Sequence, residues 1–497
     1  MSVVCSRRPC ARWLVLAIVS VALLLIVMDM TVLYTALPRL TQALGASASE
    51  QLWIVNSYGL AVSGLLLGMG ALGDRAGHKR LFMLGMGVFG LASLAAAYAP
   101  GPALLVAARA ALGVGAAMMM PATLSILRLT FTDDRERAVA IGIWASVASG
   151  GAALGPVLGG LLLEHFWWGS VFLINVPIVL AALPLTARFV PRGARNASRP
   201  WDLPGSLQAM AGMILCAYGL KELGRPAPSY ALAACAALAG AWTLARFARR
   251  QRRQPDPMVD FAIFRNGEFA SAAAAALFAA AALLGMELAF SQRLQLVLGL
   301  SPFEAALWIL PLPLAAFASG PLAGLLLPRL GSRSLLAGSL VMSALGMLGY
   351  LLAQDMAAHV QVTCLAVLGA GLGAAMTSAS ATIMQSAPPE RAGMAASIEE
   401  VSYELGGALG VTLLGSLLSA VYARALDAPP AVPVPPAARD SLDAALEAAR
   451  HLAGGAGEAL AATARAAFDT GFAAVMAAAA LLLLGGAALV MLNGRRA

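Results

Sequence analysis

The stretch Gly151-Ala-Ala-Leu-Gly155-Pro156-Val-Leu-Gly159-Gly160 decides how this chain folds. It lies inside an apolar run from about Ala138 to Leu163, long enough to cross a bilayer core, which takes ~20 helical residues. Glycines at the first, fifth and ninth positions of a helix fall on one face, and without side chains there a second helix backbone can approach closely. Pro156 has no amide proton, so it removes one backbone hydrogen bond and favours a bend. A smooth-faced, bendable membrane helix suits a moving part better than a bulk anchor. Ordinary close packing is the plainer alternative, because small residues at this spacing are common in membrane helices.

The rest of the chain agrees with a membrane setting. Hydrophobic residues make up 60% of the 497 and charged residues 12%, and the mean hydropathy is +0.80. Soluble domains carry about 25% charged residues, so a soluble enzyme is excluded. Apolar runs of ~20 residues recur along the sequence, and of the structures that satisfy their backbone in lipid only spanning helices account for runs of that length. The all-α expectation has fourteen spans, at about 13–37, 51–72, 81–99, 102–129, 138–163, 169–188, 204–222, 229–247, 268–290, 303–327, 335–353, 359–385, 393–421 and 467–491. The basic residues Arg7, Arg8 and Arg12 before an apolar run suggest a signal peptide, but Trp13 to Leu37 is too long and Asp29 interrupts it, so it reads as the first span. The five cysteines (Cys5, Cys10, Cys216, Cys235, Cys364) are scattered, and neither a disulfide framework nor a metal site follows. No cofactor is expected.

A formal charge of +8 invites a nucleic-acid reading that its distribution rejects. Twenty-four of the 33 Lys and Arg residues fall in one alternating set of connections, including Arg75, Lys79, Arg80, Arg128, Arg135, Arg137, Arg188, Arg192, Arg195 and Arg199. Positive-inside orientation makes that set cytoplasmic, with both termini inside a cell (inner) membrane. The Arg246–Arg253 run can also meet anionic lipid headgroups. Arg109 alone lies deep within a span, away from its ends.

The two halves repeat. Gly70-x-x-x-Asp74-Arg75-x-Gly77-x-Lys79 recurs 254 residues on as Gly324-x-x-x-Pro328-Arg329-x-Gly331-x-Arg333; Gly113-Val-Gly115-Ala-Ala-Met recurs at Gly371 and Arg137-Ala138 at Arg391. The expected organisation is a six-helix bundle over 1–200, two linker helices with a basic cytoplasmic loop over 201–253, and a second six-helix bundle over 254–497. Paired repeats around a midplane cavity are a transporter plan. Residues 422–466 make one long external connection, read as a Pro/Ala tract and two short helices broken by Ala-Gly-Gly-Ala-Gly. It either caps the outer vestibule or shields it.

Four motifs resemble the major facilitator superfamily, and within it the fourteen-helix drug:proton antiporters. Gly151–Gly160 is similar to the G-x-x-x-G-P-x-x-G-G antiporter motif. Gly70-Ala-Leu-Gly-Asp74-Arg75-Ala-Gly77-His78-Lys79-Arg80 resembles the hallmark cytoplasmic loop, with His78 where Arg is usual. Gly77 permits a tight turn, and Asp74 can bond helix-terminal amides or an Arg to form a latch. Leu105-x-x-x-Arg109-x-x-Leu112-Gly113-x-Gly115 resembles the family's fourth helix, with Leu112 replacing Gln. Asp29-Met-Thr31 through Ala36-Leu37-Pro38 resembles its first-helix signature. The likeness is nearest to efflux pumps for methyl viologen and quaternary ammonium compounds. It implies a monomeric, non-enzymatic exporter of cationic small molecules that exchanges them for protons. Export of an endogenous metabolite or antibiotic is the second reading, and a sensor or scaffold on the same fold the third. Neither a G-x-x-x-x-G-K-[ST] loop nor H-E-x-x-H is present, so ATP-driven export and metal-dependent hydrolysis have no support.

Intramembrane acids are expensive and so mark function. Glu400 and Glu404 are one turn apart and share a face, with Glu399 about 100° away. The 254 offset makes Ser146 and Gly150 their repeat partners, so one half carries the hinge and the other the acids. Glu287 falls one turn from the counterpart of Asp29. Burial disfavours a charged carboxylate and an incoming cation favours it, so proton and drug compete. Asp29 is expected to take the proton, aided by Arg109, and Glu400 and Glu404 the cation, with Glu287 and Glu399 beside them. Tyr34, Trp53, Tyr58, Trp144, Phe290, Trp308 and Tyr403 are candidates to offer π faces to a lipophilic cation. Met118–Met120 adds adaptable apolar surface.

Overall fold

The computed structural model describes residues 9–46, 48–192, 202–223, 229–255, 257, 259–426, 436–439, 441–452 and 455–493. Arg7, Arg8, Arg195, Arg199, Arg495, Arg496 and most of the Pro/Ala tract lie outside them, as do the side chains of Tyr34 and Pro156. The described chain is helical: α1 (Pro9–Leu44), α2 (Ala48–Ala76), α3 (His78–Ala97), α4 (Pro102–Thr130), α5 (Asp134–His165), α6 (Ser170–Leu173), α7 (Asn175–Phe189), α8 (Leu203–Leu223), α9 (Tyr230–Gln251), α10 (Gly267–Gln292), α11 (Pro302–Ile309), α12 (Pro311–Leu330), α13 (Ser332–Leu352), α14 (Ala358–Ser386), α15 (Ala392–Leu426), α16 (Leu442–His451) and α17 (Gly455–Asn493).

Twelve of the described helical stretches are long and apolar enough to cross a membrane, and the bent α5 makes a thirteenth. The expected count of fourteen is not reached by that measure. The remaining candidate is α8, whose 21 residues include Ser206, Gln208, Lys221 and Glu222. It nonetheless packs lengthwise along α2 and α9. In the external connection the first expected short helix is α16 (Leu442–His451), but the reading of a second short one is corrected. The second short helix does not exist on its own, because α17 runs unbroken from Gly455 through the last span. Alanine is the best helix former, and the Ala-rich stretch after Glu458 leaves nothing to stop the helix.

The glycine pattern of α5 does two different things. A Cβ on Gly151 would press on Leu24 and Val27 of α1, and one on Gly155 would run into Thr31 Oγ1. These two glycines therefore set the α1–α5 distance, whereas Gly160 faces open space. The segments Asp134–Ala152 and Val157–His165 meet at 44°, the bend that a proline at position 156 favours.

The internal repeat is visible in the backbone. Gly77 and Gly331, 254 residues apart, both adopt positive φ (97° and 75°) in the turn between two helices, a conformation open to glycine. The halves meet in two equivalent seams, α2 against α15 and α5 against α12. Gly70 lies against the Gly393 carbonyl and Ser397, and its repeat partner Gly324 lies against the Ala138 carbonyl. The first seam is tied by Ser397 Oγ donating to the Leu66 carbonyl at 2.8 Å. Both contacts sit at the arginine-rich end of the molecule.

Candidate functional site

Between the halves, away from those seams, opens a cavity of about 630 Å³. Its walls come from α1, α2, α4 and α5 on one side and α10, α14 and α15 on the other, with α8 completing the ring. The lining is mostly apolar, with Trp53, Trp144 and Tyr403 presenting aromatic surface and Glu400 and Glu404 among its carboxyl groups. Trp144 is 5% exposed, and its indole N–H has no hydrogen-bond partner among the described residues.

Not every predicted residue reaches this wall. Glu399 is fully buried behind it, accepting a bond from the Ser380 hydroxyl. This corrects its grouping with Glu400 and Glu404. The cause is the 100° step between neighbours on a helix, which turns Glu399 into the α14–α15 contact. Trp308 lines neither cavity and packs on the core of the second half. Phe290 stacks against Tyr350 and Phe472, with ring centroids 4.9 and 5.9 Å away. Glu287 is exposed and lines a smaller cavity of about 120 Å³. That cavity adjoins the first, since Leu283, Leu372 and Met376 belong to both. Of the methionine run, Met120 reaches the main wall.

Asp29 and Arg109 are also absent from the wall. They form a sealed ion pair, 1% and 2% exposed, with Arg109 Nη1 donating to Asp29 Oδ2. Arg109 Nε donates to the Ile54 carbonyl at 3.3 Å, and its guanidinium lies 4.6 Å from the Tyr58 ring centre, a cation–π arrangement. Tyr58 is thus committed to the ion pair and not to the cavity surface. It lies within electrostatic reach of both Asp29 and Glu404.

Sequence reasoning missed several members. Asn175 donates to Asp29 Oδ1 at 3.4 Å and to Ser93 Oγ at 3.2 Å. A lone Asn in the apolar run Val171–Val179 was the available signal. Ser380 was hidden among similar small residues of α14. Asn56, Tyr218 and Glu222 also line the cavity, and the last two come from a helix read only as a linker.

At the arginine-rich end, Asp74 takes the backbone N–H groups of Gly393 and Met394 at 2.9 and 3.2 Å. Of the two partners expected for it, helix-terminal amides are the ones found. The first turn of α15 offers unpaired amides and a positive dipole end. His78 Nε2 sits 3.1 Å from the same carboxylate. Lys79 instead donates to the carbonyls of Ala187 and Val190, both at 2.7 Å, and so closes α7 within the first half.

Two pseudo-equivalent helical halves around a shared central cavity define a secondary transporter. A family model described as the Major Facilitator Superfamily matches residues 19–411, and the chain belongs to that superfamily. It is 42% identical over 460 residues to the methyl viologen resistance protein SmvA of Salmonella typhimurium, covering 92% of this chain and 93% of that protein. It is 39% identical over 478 residues to the multidrug efflux pump LfrA of Mycolicibacterium smegmatis, covering 95% of each. Among solved structures, the human organic anion transporter MFSD10 superposes with a TM-score of 0.63 over 96% of this chain and all of that one, at 14% identity. That last likeness concerns the fold alone.

Proposed function

We propose that this protein exports lipophilic mono- and dications, quaternary ammonium compounds and methyl viologen among them, in exchange for protons. The observation that carries the reading is the central cavity, where Glu400 and Glu404 stand among apolar and indole surfaces. Relatives of near-equal length named for methyl viologen resistance and multidrug efflux favour the same substrate class.

The mechanism follows from competition for charge. An ionised carboxylate at the wall attracts a cation, and the Trp53 and Trp144 faces add cation–π attraction. A protonated carboxyl has no net charge to offer, so proton binding releases the drug and proton loss restores the site. Asp29 is the proton-coupling acid, held by Arg109 and Asn175; Tyr58 carries the electrostatic influence of that pair toward Glu404. Glu287 serves as a recognition acid in the adjoining cavity. The Asp74 bonds to α15 act as a latch that must break before the arginine-rich end opens. That end is cytoplasmic, with both termini inside the cell membrane, by the positive-inside distribution. Each proton entering down the membrane potential supplies about 2.3 kcal/mol per 100 mV.

The test is ethidium efflux driven by an imposed proton gradient in proteoliposomes, for wild type and Glu404→Gln. Wild-type efflux is expected to collapse with a protonophore. The variant is expected to be slower by about tenfold or more, the scale of one charge contact at intermediate dielectric. A folded wild-type protein that moves no cation would overturn the reading.

A further inference from the structure

We propose that α8 is part of the substrate site, and that Glu222 forms a second cation subsite which favours long dications over short ones. The proposal rests on the cation-export reading and assigns a specificity role to a helix outside the two repeated bundles.

Three observations carry it. Glu222 is 3% exposed yet lines the main cavity, and so does Tyr218, one turn earlier on the same face of α8. The helix is fixed in register against the acid-bearing helix, because Thr412 Oγ1 of α15 donates to the Leu220 carbonyl at 3.2 Å. The helices run in the same direction. Gly64 of α2 packs on Met210 and Ile214 and Gly68 on Ser206, while the Leu66–Gly70 turn of the same helix meets Ser397 and Gly393. Both α8 and α15 are therefore antiparallel to α2.

The register converts to a length. Thr412 is eight residues beyond Glu404, and Glu222 is two beyond Leu220. At 1.5 Å per residue, Glu222 stands roughly 15 Å along the bundle axis from Glu404. A compact cation can neutralise only one of these two centres at a time. A flexible dication with its charges at opposite ends of a long apolar chain can meet both, with its chain along the apolar wall between them. Glu222 also accepts the Ser229 backbone N–H at 3.3 Å, one competing, structural use of the same side chain.

The experiment uses the purified full-length protein, ethidium as the fluorescent probe, and decamethonium as its competitor. Decamethonium carries two trimethylammonium groups joined by a decamethylene chain of comparable reach. Glu222→Gln keeps an acceptor for Ser229 but removes the charge. Its decamethonium affinity is expected to fall roughly five- to tenfold more than its ethidium affinity, the order of one charge contact in a wet cavity. Glu222→Asp should recover most of that difference. If wild type binds neither compound, the cation-export reading falls and the subsite with it. If wild type binds both and the Gln variant loses affinity equally for both, or for neither, the subsite alone falls. Tyr218→Leu gives an independent arm should the Gln variant not fold, and an equal effect on both ligands there overturns the proposal as well.

Discussion

At Arg109, removing one charge and removing both are expected to have different consequences. Arg109→Ala leaves Asp29 buried with Asn175 as its remaining described side-chain donor, and breaking one side of a buried pair costs about 3–5 kcal/mol. The double change Asp29→Asn with Arg109→Met removes the charge together with its partner, so it should retain more thermal stability in detergent than Arg109→Ala alone. Proton-driven ethidium efflux should be lost in both. A double variant less stable than the single one would show that the pair is not compensatory. Asp29 and Arg109 were legible in the sequence because a charge inside an apolar run stands out. Asn175 and Ser93, which complete the cluster, were not. Their side chains are small and uncharged, and only the packing of α3 and α7 onto α1 brings them together.

At the scale of helices, the glycine seams should be intolerant in distinct ways. Gly155→Leu would place a branched side chain where Thr31 already sits, so α1 and α5 must separate. Expression or thermal stability should fall by an amount typical of overpacking, about 1–3 kcal/mol. Gly160→Leu, facing open space, should be close to neutral, and equal losses at the two positions would refute the contact role. Asp74→Asn weakens the bonds to the start of α15 and should favour opening of that seam. A reporter cysteine at Ala395, which is fully buried, should then react faster with a thiol reagent in a cysteine-free background. Unchanged reactivity would remove Asp74 from the latch. The motif around Asp74 was readable, including its choice between two kinds of partner. The identity of the amides was not, since they lie more than three hundred residues away.

For the whole molecule, the seams lie at one end and the wall residue Trp53 is 44% exposed. A cysteine at position 53 should therefore be labelled by a membrane-impermeant reagent from the outer face, whereas one at position 395 should resist labelling from either face. Prior binding of ethidium should slow labelling at 53. Protection at 395 combined with no access at 53 would mean that the molecule in the membrane rests in another state. The bilayer span count belongs to this scale too. Hydropathy places twelve stretches, and a thirteenth when the bent α5 is counted as one span, while α8 packs against α2 and α9 without meeting that measure of composition.

The sequence by itself determined the solvent, the helical architecture, the twofold internal repeat and the residues whose charge is out of place in lipid. All of these follow from local quantities: hydropathy over a span, glycine spacing along one helix, and the high free energy of an unpaired charge in a membrane. The tertiary structure decided which of those charges meet. It sealed Asp29 against Arg109, turned Glu399 away from Glu400, drew Tyr58 under a guanidinium, and set a supposed linker helix into the cavity wall. The direction of one side chain relative to a partner hundreds of residues distant depends on helix rotation and crossing. Those are fixed by packing across the whole bundle and leave no signature in any single window of sequence.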